Sequence, residues 1–256
     1  MKETAPKLNS IPADRFRLEL LKLFKQAENS PRKFFDILDE VNALHKAYPE
    51  IAALKFVPAG PKKYHKEGSA YEHTMRVVES MFNQQGNNVD SLLGALFHDI
   101  GKASTPPSEL PNHYGHDKMG AKMAPEIQRK YQFNKTRKYL IKTVSRIHMK
   151  LHDLDELNAT TMIKYSNMIK SSPLSVDQFI NIGIADANGK EPKSKFDDGK
   201  AKYHIQTAID VINDIDGNQV IDSRGYNRED IGSEIPGERI NNLLKQDRAE
   251  EYRRRI

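Results

Sequence analysis

The sequence predicts an all-α protein whose helices are joined by short loops. Apolar residues recur at the three- and four-residue spacing of a helix, as in Phe16, Leu20 and Phe24. Proline and glycine residues separate these periodic stretches. The chain shows neither the alternating pattern of a half-buried strand nor an internal repeat, so we expect helices throughout.

The first helices are expected before the proline-rich segment 58–61. One apolar stripe covers residues 16–24 and a second covers residues 34–44. The Ser-Pro pair at 30–31 predicts the start of the second helix, because proline is favoured at the first helical position. These helices form a predicted N-terminal segment that is too small to be a confident independent domain.

The rest of the chain continues as helices, with a tail of loop residues to Gly237 and then a charged helix. We divide the chain into an N-terminal helical segment of residues 1–60, a helical core of residues 61–214 and a C-terminal extension of residues 215–256. The helices expected after residue 60 lie at about 71–85, 89–100, 116–131, 134–152, 158–170, 175–187 and 199–214.

Composition limits the possible chemistry. The chain has 256 residues, 38% of them hydrophobic and none of them cysteine, so disulfides and thiolate metal sites are excluded. No apolar run approaches the ~20 residues of a membrane span, and Met1–Pro6 contains no apolar leader segment. We expect a cytoplasmic protein without membrane contact, and its oligomeric state stays open.

The charge balance is mildly basic, with a net charge of +5 and a pI of about 9.1. This balance permits a nucleic-acid or phosphate-bearing partner, although an ordinary basic surface would show it as well. Basic residues concentrate around His65, between residues 129 and 142, and at the final arginine run 253–255.

The most informative segment is the apolar run 92–97, which ends in His98 and Asp99. Two such side chains at the end of a buried helix are costly unless a partner satisfies them, and a divalent cation would do so. His73 upstream and Asp186 downstream complete a possible ligand set. Any one of these residues alone could be an ordinary buried polar group, whereas the constellation favours a metal site.

Imidazole and carboxylate ligands suit Zn, Mn, Ni, Co or Fe better than Ca. Beyond the pair, Gly101 is expected to take a left-handed conformation that ends the helix. Lys102 would then lean over the pocket as a counter-charge for phosphate, the alternative being a cation that stabilises a helix C-terminus.

Four further histidines are candidates for the same site. His148 and His152 stand four residues apart and would share a helix face. His116 and His148 could hold a second metal or bind phosphate, and His113 and His152 could contact the substrate. For all four the alternative is a structural or surface histidine.

In the order H…HD…D, His73, His98, Asp99 and Asp186 resemble the metal site of the HD-domain phosphohydrolases. A longer stretch, about residues 15–256, resembles the bacterial multifunctional CCA proteins. These proteins are tRNA nucleotidyltransferase/2′,3′-cyclic phosphodiesterase enzymes. The resemblance is carried by the following segments: Phe34–Leu38, Tyr48–Leu54, Val57-Pro58, Tyr64-His65, Phe97–Lys102, Thr105–Pro107, His113–Asp117 and Arg253–Arg255.

The resemblance implies an all-α HD-domain bundle between an N-terminal segment and a C-terminal extension. It also implies 2′,3′-cyclic phosphodiesterase, 2′-nucleotidase and phosphatase activity on RNA ends. The nucleotidyltransferase head of that family needs a Gly-Ser loop and paired strand-borne aspartates. Asp153 and Asp155 match that pair only by letter, since they follow a helix, so CCA addition is not expected.

The leading hypothesis is a metal-dependent phosphohydrolase that acts on nucleotides or on RNA 3′ ends, possibly of tRNA. Its cofactor would be a divalent ion: Mg, Mn, Ni, Co, Zn or Fe. Asp99 would orient a water molecule, while Lys102, His116 and His148 would stabilise developing negative charge. The alternatives are an HD nucleotidase for free or signalling nucleotides, and an RNA-binding module with a vestigial metal site.

Overall fold

The computed structural model describes residues 11–232 and 235–256, and its regular structure is helical. Residues 1–10, where no leader segment was expected, lie outside these ranges. Across the described chain the extended pairing is limited to two isolated bridges, Pro58 with Ser69 and Ile231 with Ile235. The all-α prediction is confirmed.

Thirteen α-helices are described in these ranges, and short 3₁₀ segments such as Ile100–Ser104 and His148–His152 extend or link them. The α-helices are α1 (Ala13–Gln26), α2 (Arg32–Glu40), α3 (Leu44–Ala47), α4 (Pro49–Ala53), α5 (Ala70–Gln85), α6 (Val89–Phe97), α7 (His116–Tyr131), α8 (Lys135–Ile147), α9 (Ala159–Lys170), α10 (Val176–Gly189), α11 (Asp198–Asp214), α12 (Gly217–Ser223) and α13 (Gly237–Arg255).

These helices form two compact units. The first, here called the site unit, is the described part of Met1–Met149 together with Ser172–Phe196. The second, here called the C-terminal unit, comprises Lys150–Ser171 and the described part of Asp197–Ile256. The division into residues 1–60, 61–214 and 215–256 remains a prediction from sequence.

In the site unit, α6 lies at the centre of a helical bundle and packs against α5, α8 and α10. Every residue of α6 from Ser91 to Phe97 is buried, as expected of a helix that is apolar all round. The N-terminal helices pack through an aromatic cluster in which Tyr48 contacts Phe35 and Tyr131. The apolar surroundings of α6 fix the position of the polar residues that follow it.

Side-chain caps fix where several helices begin. Ser69 accepts the amide of Glu72 at the start of α5, and Asn88 accepts the amide of Ser91 at the start of α6. α10 begins with a reciprocal capping box between Ser175 and Gln178. The helices that carry His73, His98 and Asp186 therefore have well-defined first turns.

Two expected helix ends are wrong, and so is the expectation of loop residues throughout the tail before Gly237. The helix predicted at 89–100 ends as an α-helix at Phe97, and the helix predicted at 134–152 ends at Ile147 and continues as a 3₁₀ segment. The tail contains α12, which a capping box between Asp216 and Gln219 begins. This short polar helix escaped prediction because it lacks an apolar stripe long enough to be periodic.

Gly101 does not take the expected left-handed conformation. It lies in the 3₁₀ segment that follows Asp99, outside the set of positive-φ glycines. A Cβ atom there would stand 2.0 Å from the carbonyl oxygen of His116 and 2.5 Å from the amide nitrogen of Gly120. Glycine is needed because the first turn of α7 passes directly over this position.

Each helix in the described part of the chain is too short or too polar to cross a bilayer.

We predict that Gly101→Ala destabilises the protein, because the added methyl group meets backbone that cannot move away. The expected loss in free energy of unfolding is about 3 kcal/mol, the upper part of the usual range for overpacking. Urea unfolding measures it. Gly217→Ala is the matched control, since nothing lies within 4 Å of a Cβ atom there. Equal stability of the two variants would contradict this close approach.

Candidate metal centre

Four predicted ligands converge from three parts of the site unit. His73 lies on α5, His98 and Asp99 directly follow α6, and Asp186 lies on α10. All four side chains are buried. Burial of this many polar groups together needs compensation, because each loses its hydration.

The Nε2 atom of His73 stands at the centre of this first group. It lies 2.9 Å from Oδ1 of Asp186 and 3.6 Å from Oδ2 of Asp99. The Nε2 atom of His98 lies 3.4 Å from that of His73 and 3.3 Å from Oδ2 of Asp99. The four ligand atoms therefore surround one small volume.

A second group forms on the other oxygen of Asp99. Oδ1 of Asp99 lies 3.2 Å from Nε2 of His116 and 3.1 Å from Nε2 of His148. The two Nε2 atoms lie 3.3 Å apart. Asp99 is thus shared, with one oxygen toward His73 and His98 and the other toward His116 and His148.

Backbone carbonyls orient three of the four imidazoles. The Nδ1–H of His98 donates to the carbonyl of Ala95 at 2.7 Å, and that of His116 donates to the carbonyl of His113 at 2.7 Å. His148 donates from Nδ1 to the carbonyl of Ser145 at 3.0 Å. Carbonyls only accept hydrogen bonds, so a neutral ring in each position directs the lone pair of Nε2 into the cluster.

The donor set fits a divalent cation. Burial lowers the pKa of His148 to about 4, so its ring is neutral near pH 7. Oδ1 of Asp99 is buried and accepts no hydrogen bond from the described residues, since lone-pair nitrogens face it. An unprotonated Nε2 of His148 and a carboxylate oxygen 3.1 Å away repel one another unless a positive ion lies between them, and nitrogen–oxygen sets suit Mn, Fe, Co, Ni or Zn.

Asp99 is ionised in this setting. Burial alone would raise the pKa of its carboxyl group, but the positive charge of Lys102 beside it holds that pKa well below its usual range. Nζ of Lys102 lies 2.6 Å from Oδ2 of Asp99 and donates to the carbonyl of Ala59 at 2.7 Å. Lys102 is therefore anchored beside the cluster and not extended over solvent.

A cavity of about 210 Å³ opens onto the cluster. Asp99, Lys102, His116 and Asp186 form part of its wall, and Lys190, whose Nζ lies 3.3 Å from Oδ2 of Asp186, adds a second cation. The other lining residues are Ala59, Gly60, Pro61, His65, Pro111, Asn112, His113, Tyr114 and Met149.

The two histidines predicted to contact substrate belong to different units. His113 lines the cavity, but Thr105 Oγ1 lies 2.7 Å from its Nδ1 and its Nε2 lies 2.7 Å from the carbonyl of Pro58. His152 belongs to the C-terminal unit and is not one of the cavity-lining residues. The shared helix face of His148 and His152 was wrong, because α8 ends before His148 and the 3₁₀ turn rotates the later residue away.

Sequence reasoning missed the role of Glu67 and His65. Oε1 of the buried Glu67 lies 3.2 Å from Nδ1 of His73 and 2.6 Å from Nδ1 of His65, and its other oxygen accepts the amide of Glu191 at 2.9 Å. Burial alone would raise the pKa of Glu67, but hydrogen bonds from the two histidines lower it. The His-x-Glu pattern of His65 and Glu67 could have indicated a further pair of polar groups for this site. The lysines around it made the segment look like exposed surface.

Comparison with known protein families agrees with this geometry. Residues 70–174 match the HD domain, a range that includes His73, His98, Asp99, His116 and His148. The chain contains an HD domain. Residues 1–55 match a second family, described as the probable RNA and SrmB-binding site of polymerase A. The HD domain supports a metal-dependent hydrolase family for this protein.

The HD-domain protein also has relatives among curated sequences that match most of its own length. It is 30% identical to the multifunctional CCA protein of Pasteurella multocida over 252 residues, which is 95% of this chain and 58% of the relative. The corresponding protein of Haemophilus influenzae is 30% identical over 91% of this chain and 56% of its own length. The predicted resemblance to multifunctional CCA proteins is confirmed, and the chain spans little more than half of these relatives.

We predict that Glu67→Gln weakens metal binding about 10–100-fold, the usual effect of removing a carboxylate that orients a ligating histidine. The amide keeps the shape of the side chain but removes the charge that holds His73 and His65. Titration of the metal-free protein with Mn²⁺ measures the affinity. Glu126→Gln, at an exposed position on α7, is the control. Unchanged affinity in the first variant would show that Glu67 is not a supporting residue.

Proposed function

We propose that this HD-domain protein is a metal-dependent phosphohydrolase that acts on nucleotide or RNA-terminal phosphates. The observation that carries the proposal is the shared carboxylate of Asp99, which lies between two histidine pairs at the wall of a cavity lined by two lysines. Carboxylate and imidazole would hold cations, and lysines beside them would hold phosphate oxygens.

His73, His98, Asp99 and Asp186 would hold one ion, and Asp99 with His116 and His148 would hold a second ion or a phosphate group. When bound, a divalent ion supplies polarisation of the phosphoryl group and acidification of a water molecule. The carboxylate of Asp99, which accepts from Lys102, would orient a water molecule for attack on the phosphorus.

The protein's own cations provide the remaining electrostatic stabilisation. Lys102 and Lys190 flank the carboxylates Asp99 and Asp186 at the cavity wall. Charge that grows on phosphoryl oxygens during hydrolysis would be stabilised by these fixed donors, which need no reorganisation at the moment of reaction. His65, oriented through Nδ1 by Glu67, adds a ring at the wall that could contact the ester.

Cavity size favours the end of a larger molecule. A volume of about 210 Å³ is below the range of about 300–1,000 Å³ typical of sites that enclose a whole ligand. A terminal phosphate and ribose would fit inside and the rest would remain outside. Tyr114, which lines the cavity and is 79% exposed, offers an aromatic face on which a base could stack.

RNA is the substrate class that the comparisons support. Residues 1–55 match a probable RNA-binding region, and the relatives bear the name multifunctional CCA protein. A 2′,3′-cyclic phosphate or a 2′-phosphate at an RNA end, such as that of a tRNA, would use the small cavity and the exposed aromatic rim. CCA addition is not part of the proposal.

A nucleotidase for free or signalling nucleotides is the second candidate, because the same rim would hold the base of a mononucleotide. The purified protein should be assayed with Mg²⁺, Mn²⁺, Ni²⁺ or Co²⁺ on cyclic mononucleotides, on free nucleotides and on RNA with 2′-phosphorylated ends. Preference for RNA ends supports the first candidate and preference for free nucleotides supports the second. If the protein binds RNA but neither hydrolyses it nor binds metal, the remaining hypothesis is an RNA-binding module with a vestigial metal site.

We predict that Lys102→Ala, which removes a stabilising donor, and His148→Ala, which removes a ligand of the second ion, each lower kcat and kcat/KM together by about 10–10³-fold at saturating metal. Steady-state kinetics on a cyclic mononucleotide measures this. Lys118→Ala, an exposed position on α7, is the control. A raised KM with unchanged kcat in both variants would assign them to substrate binding alone.

A further inference from the structure

The C-terminal unit contains a groove of about 600 Å³ between α9 and α13, and none of its lining residues belongs to the candidate metal centre. α9 contributes Thr160, Lys164 and Asn167, and α13 contributes Asn241 and Lys245. The contributing residues recur every three or four positions, so each helix presents one continuous stripe. The stripe on α9 spans residues 160–168, a length of about 12 Å at 1.5 Å per residue.

All charged residues of this groove are positive: Lys164, Lys245 and Arg248. The surrounding unit has the opposite balance, since sixteen acidic and thirteen basic residues occur in Lys150–Ser171 and Asp197–Ile256. The positive groove is therefore a local arrangement and not a sample of a generally basic surface.

The two lysines also lack the acidic partner that five other bases of this unit have. Within the described chain, neither Lys164 nor Lys245 forms an ion pair. Many other bases of the unit are paired with carboxylates: Lys200 with Asp155, Arg224 with Asp247, Arg228 with Asp222, Arg254 with Glu250 and Arg255 with Asp214. Acid groups are available, but they do not neutralise the groove.

Arg248 fixes a third positive charge at the groove without neutralising it. Its Nε donates to the carbonyl of Ile215 at 2.8 Å and its Nη2 donates to the carbonyl of Ile212 at 3.0 Å. These acceptors cap the end of α11 and carry no formal charge. The guanidinium is held in place, and its charge remains available to an anion in the groove.

We propose that the groove between α9 and α13 binds the phosphodiester backbone of single-stranded RNA. The groove offers two lysines and an arginine, from both of its helices, to successive phosphates, and Asn167 and Asn241 can exchange hydrogen bonds with ribose hydroxyls or bases. Apolar side chains such as Ile163 and Leu244 complete the lining, and they reduce the competition of water with these contacts. The assignment of RNA and not an acidic peptide as the occupant of the groove rests on the proposed function.

The test uses the full chain, a fluorescein-labelled 12-nucleotide oligouridylate and anisotropy titrations between 50 and 200 mM salt. Loss of two phosphate contacts in the Lys164→Ala/Lys245→Ala variant should weaken binding several-fold. It should also make the slope of log K against log salt shallower by about 1.4, since each contact to a single strand contributes about 0.7. The Lys200→Ala/Lys202→Ala variant, with the same loss of charge in the same unit, should keep the wild-type slope.

An unchanged slope in the Lys164→Ala/Lys245→Ala variant would overturn the proposal, and so would equal losses in both variants. Displacement of the oligouridylate by a polyglutamate peptide at lower concentration than by unlabelled RNA would assign the groove to an acidic protein instead. Hydrolysis of a cyclic mononucleotide should be the same in the groove variant and the wild type. A protein that hydrolyses nothing but shows the altered slope would refute the proposed function and leave the groove assignment standing.

Discussion

The site depends on one buried carboxylate, that of Asp99. Its two oxygens lie within 3.3 Å of imidazole nitrogens from two separate histidine pairs, and Lys102 adds a positive charge to one of them. A buried, ionised carboxylate among lone-pair nitrogens would be expensive without positive charge. The surrounding fold therefore has to bring four parts of the chain together with little freedom: α5, the end of α6, the start of α7 and the end of α8.

The helical bundle provides this positioning through burial and not through local polar contacts. α6 is enclosed by α5, α8 and α10, so its end cannot shift without disturbing the core. Gly101 lets the start of α7 approach the 3₁₀ turn closely enough to bring His116 to the other oxygen of Asp99. Backbone carbonyls and Glu67 then orient the imidazole rings. The ligands are therefore held in position for a cation by residues that do not contact it themselves.

Most of the helices and several of the site residues could be predicted from the sequence, because apolar periodicity and short motifs depend only on residues that are close along the chain. The helices around His73, His98 and Asp186 follow from apolar spacing and caps, and the cluster follows from adjacent ligand types at the end of an apolar run. The sharing of Asp99 between two histidine pairs depends on how α7 and α8 pack, which spacing does not specify.

The remaining differences have the same origin. Gly101 was expected to matter for its backbone angle, whereas the nearness of His116 is what requires it. Glu67 contacts both His73 and the amide of Glu191, which is distant in sequence. Both contacts depend on packing between segments that are distant in sequence, which the local pattern does not specify.

Metal titration of four purified proteins tests the sharing of Asp99 most directly. Isothermal titration of Mn²⁺ into metal-free wild type, Asp99→Ala, His73→Ala and His148→Ala compares the two halves of the cluster. We expect Asp99→Ala to lose all specific binding, because its carboxylate serves both groups, and His148→Ala to keep the ion held by His73, His98 and Asp186. An Asp99→Ala protein that binds metal with wild-type stoichiometry and affinity would contradict the account.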